Sequence, residues 1–133
     1  MGLSQYIGIP YGDHGRSKLA LDCWGLVWMV YEEQFQIELP SYSDQYISAE
    51  DSKDVARLIN QEVGPWTEVD SEHANFGDVL LFRIAGNVCH TGLVVSHGLM
   101  LHVMKGVNVC LERYTQSMWR HRLIGIYRHE VMA

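Results

Sequence analysis

The chain has 133 residues, of which 47% are hydrophobic and 11% aromatic, so residues 1–133 can form one domain with a substantial core. Acidic residues outnumber basic ones by 16 to 10, the formal net charge is −6, and no basic cluster occurs, which argues against nucleic-acid binding. The three cysteines are odd in number and include no Cys-x-x-Cys pair, so a disulfide framework is not expected.

The N-terminal segment has neither the basic region nor the long apolar region of a secretory signal peptide. No run of about 18 apolar residues occurs in the sequence, so membrane insertion is not expected. Residues 8–15 are rich in glycine and include Pro10, a composition typical of a loop. We predict an irregular N-terminal arm that delivers Tyr11 and ends at Asp22.

A helix is predicted directly after this arm. Asp22 is a good N-cap residue, and the periodicity indicates roughly three turns that end near Gln36. Apolar residues recur there at spacings of three and four: Trp24, Val27, Tyr31 and Phe35. Cys23 lies in the first turn, where the helix dipole favours the thiolate form. Since a cysteine in a helix is more often a small buried hydrophobic residue, its position alone does not establish a nucleophile.

The remainder of the chain changes from helical to extended patterns. Residues 48–51 resemble a capping box and Gly64-Pro65 is a strong stop, so a second helix is predicted over about 49–63. Short apolar runs then predict strands at 66–69, 79–84, 88–96, 99–104, 107–112 and 123–128, with a helical turn possible in 113–121. Helices followed by a meander of strands indicate an α+β domain with an antiparallel sheet of about five to six strands.

Two histidines occupy consecutive predicted strands. Pairing about the turn at His97-Gly98 places opposite each other residues whose numbers sum to about 192–195, and His90 and His102 sum to 192. The two imidazoles can therefore be cross-strand neighbours, although histidines on strands are more often structural. Together with Cys23 they would supply a nucleophile, a base and an orienting group, and the N–H groups at the helix start could form an oxyanion hole.

A zinc site is the alternative interpretation of these residues. Cys89 and Cys110 could join His90 and His102 as ligands. Because side chains alternate along a strand, Cys89 is expected to point to the sheet face opposite that of His90. No standard Cys/His ligand spacing occurs either. We therefore predict no metal and no other cofactor.

The sequence resembles the NlpC-like cell-wall peptidases, which are cysteine peptidases of papain-like topology. The family motifs occur in order along the chain. They are Gly8-Ile9-Pro10-Tyr11, Asp22-Cys23-Trp24-Gly25-Leu26-Val27, Gly77-Asp78-Val79-Leu80-Leu81-Phe82, His90-Thr91-Gly92-Leu93-Val94 and Leu101-His102. The resemblance implies a papain-like (NlpC-type) α+β fold, with N-terminal helices packed on the antiparallel sheet.

The resemblance also implies roles for individual residues. Cys23 matches the nucleophile, His90 the general base and His102 the orienting residue. Three further residues are assigned to support of the substrate or the oxyanion: Tyr11, Asp22 and Trp24. The implied substrate is a murein stem peptide, cut between γ-D-glutamate and a diamino acid such as diaminopimelate or lysine.

Two departures from the common pattern resemble the phage-tail branch of this family. Trp24 replaces the usual serine after the cysteine, and the segment between the first helix and Gly77 is long. This branch implies synthesis in the host cytoplasm, a place at the tail tip of the virion, and other tail-tip proteins as partners. A structural tail-tip protein with a vestigial site, and an N-acetylmuramoyl-L-alanine amidase, remain as alternative functions.

Overall fold

The computed structural model describes residues 2–41 and 65–132, so the predicted helix at 49–63 lies outside the described residues. The regular helices are α1 (Cys23–Val30) and α2 (Ser117–Arg120). The strands are β1 (Arg16–Ser17), β2 (Ala20–Leu21), β3 (Trp66–Val69), β4 (Val79–Ile84), β5 (Asn87–Ser96), β6 (Leu99–Met104), β7 (Val107–Arg113) and β8 (Leu123–His129). Short 3-10 turns cover Leu3–Tyr6, Ser71–His73 and Glu130–Met132.

The N-terminal arm is more ordered than its composition predicts. It contains a 3-10 turn and the two-residue strands β1 and β2, which pair with each other. Elements this short leave no periodicity to recognise in the sequence. The arm is fixed to the sheet edge because Gly8 N–H donates to the Val109 carbonyl and Val109 N–H donates to the Ile9 carbonyl.

Helix α1 begins as predicted, and the π-helical segment that continues it ends next to the predicted Gln36. The Asp22 carboxylate accepts a hydrogen bond from Gly25 N–H, which is the geometry of an N-cap. After Val30 the helix continues as a π-helical segment, Tyr31–Phe35, and stops at Gln36 in a left-handed conformation with φ 55°. The apolar spacing of the sequence locates this helix but does not distinguish its α-helical turns from its π-helical one.

The six long strands form one antiparallel sheet in the order β3-β8-β4-β5-β6-β7. This agrees with the predicted number of strands, and the predicted strand bounds are correct to within one residue. The segment 113–121, left open by the sequence, contains helix α2.

Both faces of the sheet are covered. Helix α1 and the arm pack with Leu93, Leu101 and Val103 in one apolar cluster. A second cluster contains Phe82, Val94, Met100 and Trp119. The neighbours Leu93 and Val94 belong to different clusters because strand side chains alternate between faces. Among the described residues, no helix is both long and apolar enough to span a bilayer.

Candidate active site

The start of α1 is fixed by a buried carboxylate. Asp22 Oδ1 accepts from Gly25 N–H at 2.7 Å and from Arg16 Nη1 at 2.8 Å. Its Oδ2 accepts from His14 N–H at 3.0 Å. These contacts tie the arm to the first turn of the helix, next to Cys23, whose side chain is only 1% exposed. Asp22 therefore caps the helix, as the sequence predicts, and its support of the substrate or the oxyanion stays a prediction.

Arg16 and Gly25 allow the arm to lie this close to the helix. Arg16 also donates to the Gly15 carbonyl and to both the side chain and the carbonyl of Ser41. A Cβ at Gly25 would lie 2.2 Å from the Gly15 oxygen and 2.8 Å from Arg16 Nη1. Any larger residue would push the arm away from α1, which explains why glycine is needed two positions after the cysteine.

Tyr11 and Trp24 were both predicted to support the substrate or the oxyanion. Tyr11 forms a β-bridge to Leu21, and its hydroxyl donates to Asp13 Oδ1 at 2.6 Å. Trp24 is buried, and its indole N–H donates to the Pro40 carbonyl at 2.8 Å. Packing and this hydrogen bond account for the position of Trp24. A contact of either residue with substrate stays a prediction.

The structure brings the two predicted imidazoles together. His90 and His102 are fully buried, and His90 Nε2 lies 3.1 Å from His102 Nδ1. The register pairs Leu93 with Leu101, so His102 lies opposite Gly92 and His90 reaches it diagonally. The prediction of neighbouring rings is confirmed, and the observed register, in which paired residues sum to 194, lies within the predicted range.

Gly92 makes this diagonal contact possible. A Cβ there would lie 3.0 Å from Met100 Sδ and 3.6 Å from His102 Cβ. The absence of a side chain leaves room beside His102 for the ring of His90.

Glu112 extends the pair into a chain of three groups, and the sequence analysis missed it. Its Oε1 lies 2.5 Å from His102 Nε2. The β6–β7 register pairs His102 with Cys110, so Glu112 is on the same strand face, one diagonal step away. The pairing arithmetic that joined the histidines would have found Glu112 if it had been applied to the next hairpin, around Lys105-Gly106.

The hydrogen-bond chain determines which ring nitrogens carry protons. An ionised carboxylate can only accept, so His102 Nε2 donates to Glu112, and His102 Nδ1 is left as an acceptor. His90 Nε2 then donates to His102, and His90 Nδ1 is left with a free lone pair. His90 Nδ1 is buried and has no hydrogen-bond partner among the described residues. It is therefore a base without a proton.

The electrostatic surroundings keep both imidazoles neutral. Burial lowers the pKa of His90 to about 3, with further lowering by His102 and Arg122. Burial also lowers the pKa of His102, although the hydrogen bond and the charge of Glu112 act in the opposite direction. Neutral rings are the state that the assigned hydrogen-bond chain requires.

Trp119, which the sequence analysis also missed, holds the two rings in place. Its indole stacks on the His90 ring, with the ring centroids 5.4 Å apart, and makes an edge-to-face contact with the His102 ring at a centroid distance of 4.9 Å. Phe82 lies 5.0 Å from the indole and 5.7 Å from the His90 ring. Trp119 is on the short helix α2, and no periodic pattern in that segment indicates its contact with the histidines.

A comparison with known families gives a match to the NlpC/P60 family over residues 8–128. The chain belongs to the NlpC/P60 family. The resemblance inferred from the ordered motifs is thereby confirmed. The match identifies the family, and membership of its phage-tail branch stays a prediction.

Two curated relatives have sequences similar to this chain. The chain is 26% identical over 115 residues to the murein DD-endopeptidase MepS/murein LD-carboxypeptidase of Escherichia coli (strain K12), covering 86% of this chain and 53% of the relative. It is 23% identical over 129 residues to the gamma-DL-glutamyl hydrolase of Bacillus subtilis (strain 168), covering 95% and 27%. The chain thus spans about half the length of the first relative and about a quarter of the second.

A solved structure supports the fold of this NlpC/P60 domain. An NLP/P60-family protein from Staphylococcus aureus superposes with a TM-score of 0.67 at 25% identity, covering 94% of this chain and 38% of that one. The predicted α+β, NlpC-type fold is confirmed.

Cys23 and the two imidazoles lie on elements that pack together. Helix α1 covers the sheet face of Leu93 and Leu101. The rings of His90 and His102 contact Trp119 on the other face. Helix α1 packs directly against β5 and β6, the strands that carry His90 and His102. Cys23 is the first residue of that helix. The geometry shows His90, His102 and Glu112 in one hydrogen-bonded chain. The approach of Cys23 Sγ to His90 Nδ1, and with it the catalytic role of each residue, stays a prediction.

Proposed function

We propose that this chain is a cysteine peptidase that hydrolyses murein stem peptides through an acyl-enzyme. The observation that carries the proposal is His90 Nδ1, a buried, unprotonated nitrogen without a hydrogen-bond partner among the described residues, at the end of a chain anchored by Glu112. A buried polar atom of this kind is costly unless another group uses it. The family match and the name of the murein DD-endopeptidase relative support peptidoglycan as the substrate.

In the first half of the proposed reaction, the Cys23 thiol gives its proton to His90 Nδ1 and the thiolate attacks the scissile carbonyl. The N–H groups and the dipole at the start of α1 stabilise the oxyanion of the tetrahedral intermediate. The intermediate collapses when the C–N bond breaks, and the leaving amine takes the proton from His90. The product of this half is a thioester between the substrate acyl group and Cys23.

In the second half, a water molecule gives a proton to His90 Nδ1 and attacks the thioester. The C–S bond breaks, the carboxylic acid leaves, and the proton returns to the Cys23 sulfur. In both halves the transient imidazolium of His90 donates through Nε2 to His102, which donates to Glu112. The negative charge of Glu112 thus stabilises a positive charge that would otherwise be unfavourable in a buried site.

The finer proposal is that the scissile bond joins γ-D-glutamate to a diamino acid. The family resemblance and the gamma-DL-glutamyl hydrolase among the relatives support it. Digestion of murein of known chemistry, followed by mass spectrometry, tests it. Release of fragments with a diamino acid at the new N-terminus supports this bond, whereas cleavage between D-residues of the cross-link, or between sugar and peptide, contradicts it.

The same digestion tests the peptidase proposal when wild type and Cys23→Ala are compared. We expect cleavage only by wild type, with thermal unfolding curves showing that both chains are folded. Cleavage by Cys23→Ala at the wild-type rate would contradict a thiol mechanism. A folded wild type that cleaves no murein peptide would instead favour a structural protein with a vestigial site.

We further propose that the enzyme is made in the host cytoplasm and carried at a phage tail tip, where other tail-tip proteins are its partners. The support is the tryptophan after the cysteine and the long segment between α1 and Gly77. Immunogold labelling of purified virions tests this location. Label confined to the tail tip is expected, and virions that lack the protein would contradict the proposal.

A further inference from the structure

A cluster of three possible metal-binding atoms overlaps the imidazole chain, with which it shares His102 and Glu112. One ring nitrogen of His102, the sulfur of Cys110 and a carboxylate oxygen of Glu112 all lie within 4.8 Å of one another. His102 and Cys110 are register partners on β6 and β7, and Glu112 follows two residues later on the same strand face. The three side chains therefore project from two hydrogen-bonded strands.

The available ring nitrogen is Nε2 of His102. Its Nδ1 is within hydrogen-bond distance of His90, whereas Nε2 points at Glu112. Cys110 is partly exposed and the Glu112 side chain is 40% exposed, so the cluster opens to solvent on the side away from His90. An ion can reach Cys110 and Glu112 from solvent, and it reaches the buried His102 Nε2 when the Glu112 carboxylate moves aside.

The donor set is one that zinc prefers. Thiolate, imidazole and carboxylate bind Zn²⁺ at about 2.0–2.3 Å, and three protein ligands with a water complete a tetrahedron. Donors at such bond lengths are about 3.5 Å apart. The His102 Nε2 and Glu112 Oε1 atoms, 2.5 Å apart, must therefore separate by about 1 Å, and the longest separation in the cluster, at most 4.8 Å, must shorten by about as much. The half-exposed Glu112 side chain can make this adjustment.

We propose that His102, Cys110 and Glu112 form a Zn²⁺ site that inhibits the enzyme. This set shares His102 and Cys110 with the zinc interpretation of the sequence. The third ligand is Glu112, and His90 and Cys89 are not ligands. All three ligands therefore lie on the β6–β7 hairpin. Cys23 takes no part in it.

The inhibition, which rests on the proposed function, follows from the proton positions. Zn²⁺ bound to His102 Nε2 takes the place of the proton there, so the neutral ring must carry its proton on Nδ1. His102 Nδ1 then donates to His90 Nε2, and the neutral His90 ring carries its own proton on Nδ1. Each ring keeps one proton and the Cys110 thiol releases one to solvent. His90 Nδ1 can no longer accept the proton of Cys23.

Metal binding is tested without reference to activity. Co²⁺ is added to the Cys23→Ala chain, and thiolate-to-cobalt charge-transfer absorption is recorded, with the d–d bands reporting tetrahedral geometry. We expect one equivalent of Co²⁺ to bind in Cys23→Ala and in Cys23→Ala/Cys89→Ser. The charge-transfer band should be lost in Cys23→Ala/Cys110→Ser. No band in the Cys23→Ala chain, or one that persists without Cys110, would overturn the site.

The inhibitory role is tested on the active chain. Zn²⁺ should inhibit wild type reversibly, with activity restored by a chelator. Without Zn²⁺, Cys110→Ser should cleave murein peptides at the wild-type rate. We expect Cys110→Ser to need at least a tenfold higher Zn²⁺ concentration for the same inhibition. Equal sensitivity of the two chains would overturn the proposal, because zinc would then act elsewhere. If Co²⁺ binds as expected but wild type cleaves no murein peptide, the metal site stands and the proposed peptidase function fails.

Discussion

The two sides of the site are built by different kinds of contact. The thiol side depends on Asp22, whose carboxylate holds Gly25 and Arg16, all within ten residues of the chain. The imidazole side depends on His90 and Glu112, which lie on strands β5 and β7 and meet through the strand between them. The first side is locally encoded and rigidly capped. The second exists only once three strands have paired.

This difference explains which parts of the site are visible in the sequence. A cap, a helix and a glycine at a fixed offset form a contiguous motif, and the family resemblance follows such motifs. The imidazole side combines groups from separate segments: His90 and His102 lie in two of these motifs, whereas Glu112 and Trp119 lie in none. The following predictions separate the two sides. Changes to His90 or Glu112 on the imidazole side should mainly lower turnover, whereas loss of the Arg16–Asp22 pair on the thiol side should mainly lower the free energy of unfolding.

The largest effect is expected on the imidazole side, from His90→Ala. The variant loses the base that activates Cys23 and returns the proton, so turnover of murein peptides should fall about 10⁴-fold. The change is measured by mass spectrometry of released fragments under substrate saturation. His73→Ala, at a residue whose side chain is 72% exposed, is the matched control and should keep wild-type turnover. Turnover within tenfold of wild type in His90→Ala would remove His90 from the mechanism.

On the thiol side, the main expected effect of a substitution is a lower free energy of unfolding. Arg16→Ala leaves the fully buried Asp22 carboxylate without its guanidinium partner, and breaking a buried pair in this way costs about 3–5 kcal/mol. Urea unfolding followed by tryptophan fluorescence measures the loss. Lys18→Ala is the control, because the Lys18–Glu33 pair is exposed and worth about 0–1 kcal/mol. Equal losses in the two variants would show that the Asp22 pair does not anchor the helix start.

The imidazole side should also make stability depend on pH. Because burial lowers the pKa of His90 to about 3, the unfolded chain takes up a proton near pH 6.5 and the folded chain does not. Stability is therefore complete above about pH 6.5 and falls as the pH drops toward 3. Between pH 7 and 5 wild type should lose about 2 kcal/mol more than His90→Gln.

Urea unfolding at both pH values gives this difference. His73→Gln should keep the wild-type dependence, since that histidine is exposed. An unchanged pH dependence in His90→Gln would mean that His90 is charged, or not buried, in the folded chain.

A smaller effect is expected from Glu112→Gln. The amide removes the negative charge that supports the His90 imidazolium and no longer fixes His102 Nε2 as a donor, so kcat should fall about tenfold to a hundredfold. KM should change little because Glu112 acts through His102 and is not assigned a contact with substrate. The acidic limb of the pH–rate profile should also shift. Glu68→Gln, at an exposed residue of β3, is the control. A change confined to KM would contradict a positioning role.

The sequence predicted the fold well because its elements are periodic or punctuated. Asp22 marks the helix start, glycine-containing turns separate several of the strands, and the strand bounds agree with the structure to within one residue. The π-helical segment Tyr31–Phe35 escaped because it keeps the apolar spacing of an α-helix. The hairpin of β1 and β2 escaped because two-residue strands have no period.

The site was predicted only in part. The proximity of His90 and His102 followed from one pairing rule, and the register that places Gly92 opposite His102 lies within the predicted range. Cys23 was assigned from a motif, and its role stays a prediction. Glu112 was within reach of the same rule. Trp119 was not, because a single buried tryptophan on a four-residue helix looks like any other core residue until the tertiary contacts are known.

The central claim is that His90, on one side of the site, activates Cys23 on the other. The most direct test is the alkylation rate of Cys23 near neutral pH, located by peptide mass spectrometry, in wild type and in His90→Gln. The account predicts that Cys23 in wild type reacts at least tenfold faster than in His90→Gln, with both chains folded. Equal rates in the two chains would contradict it, because the thiol would then be independent of the imidazole chain.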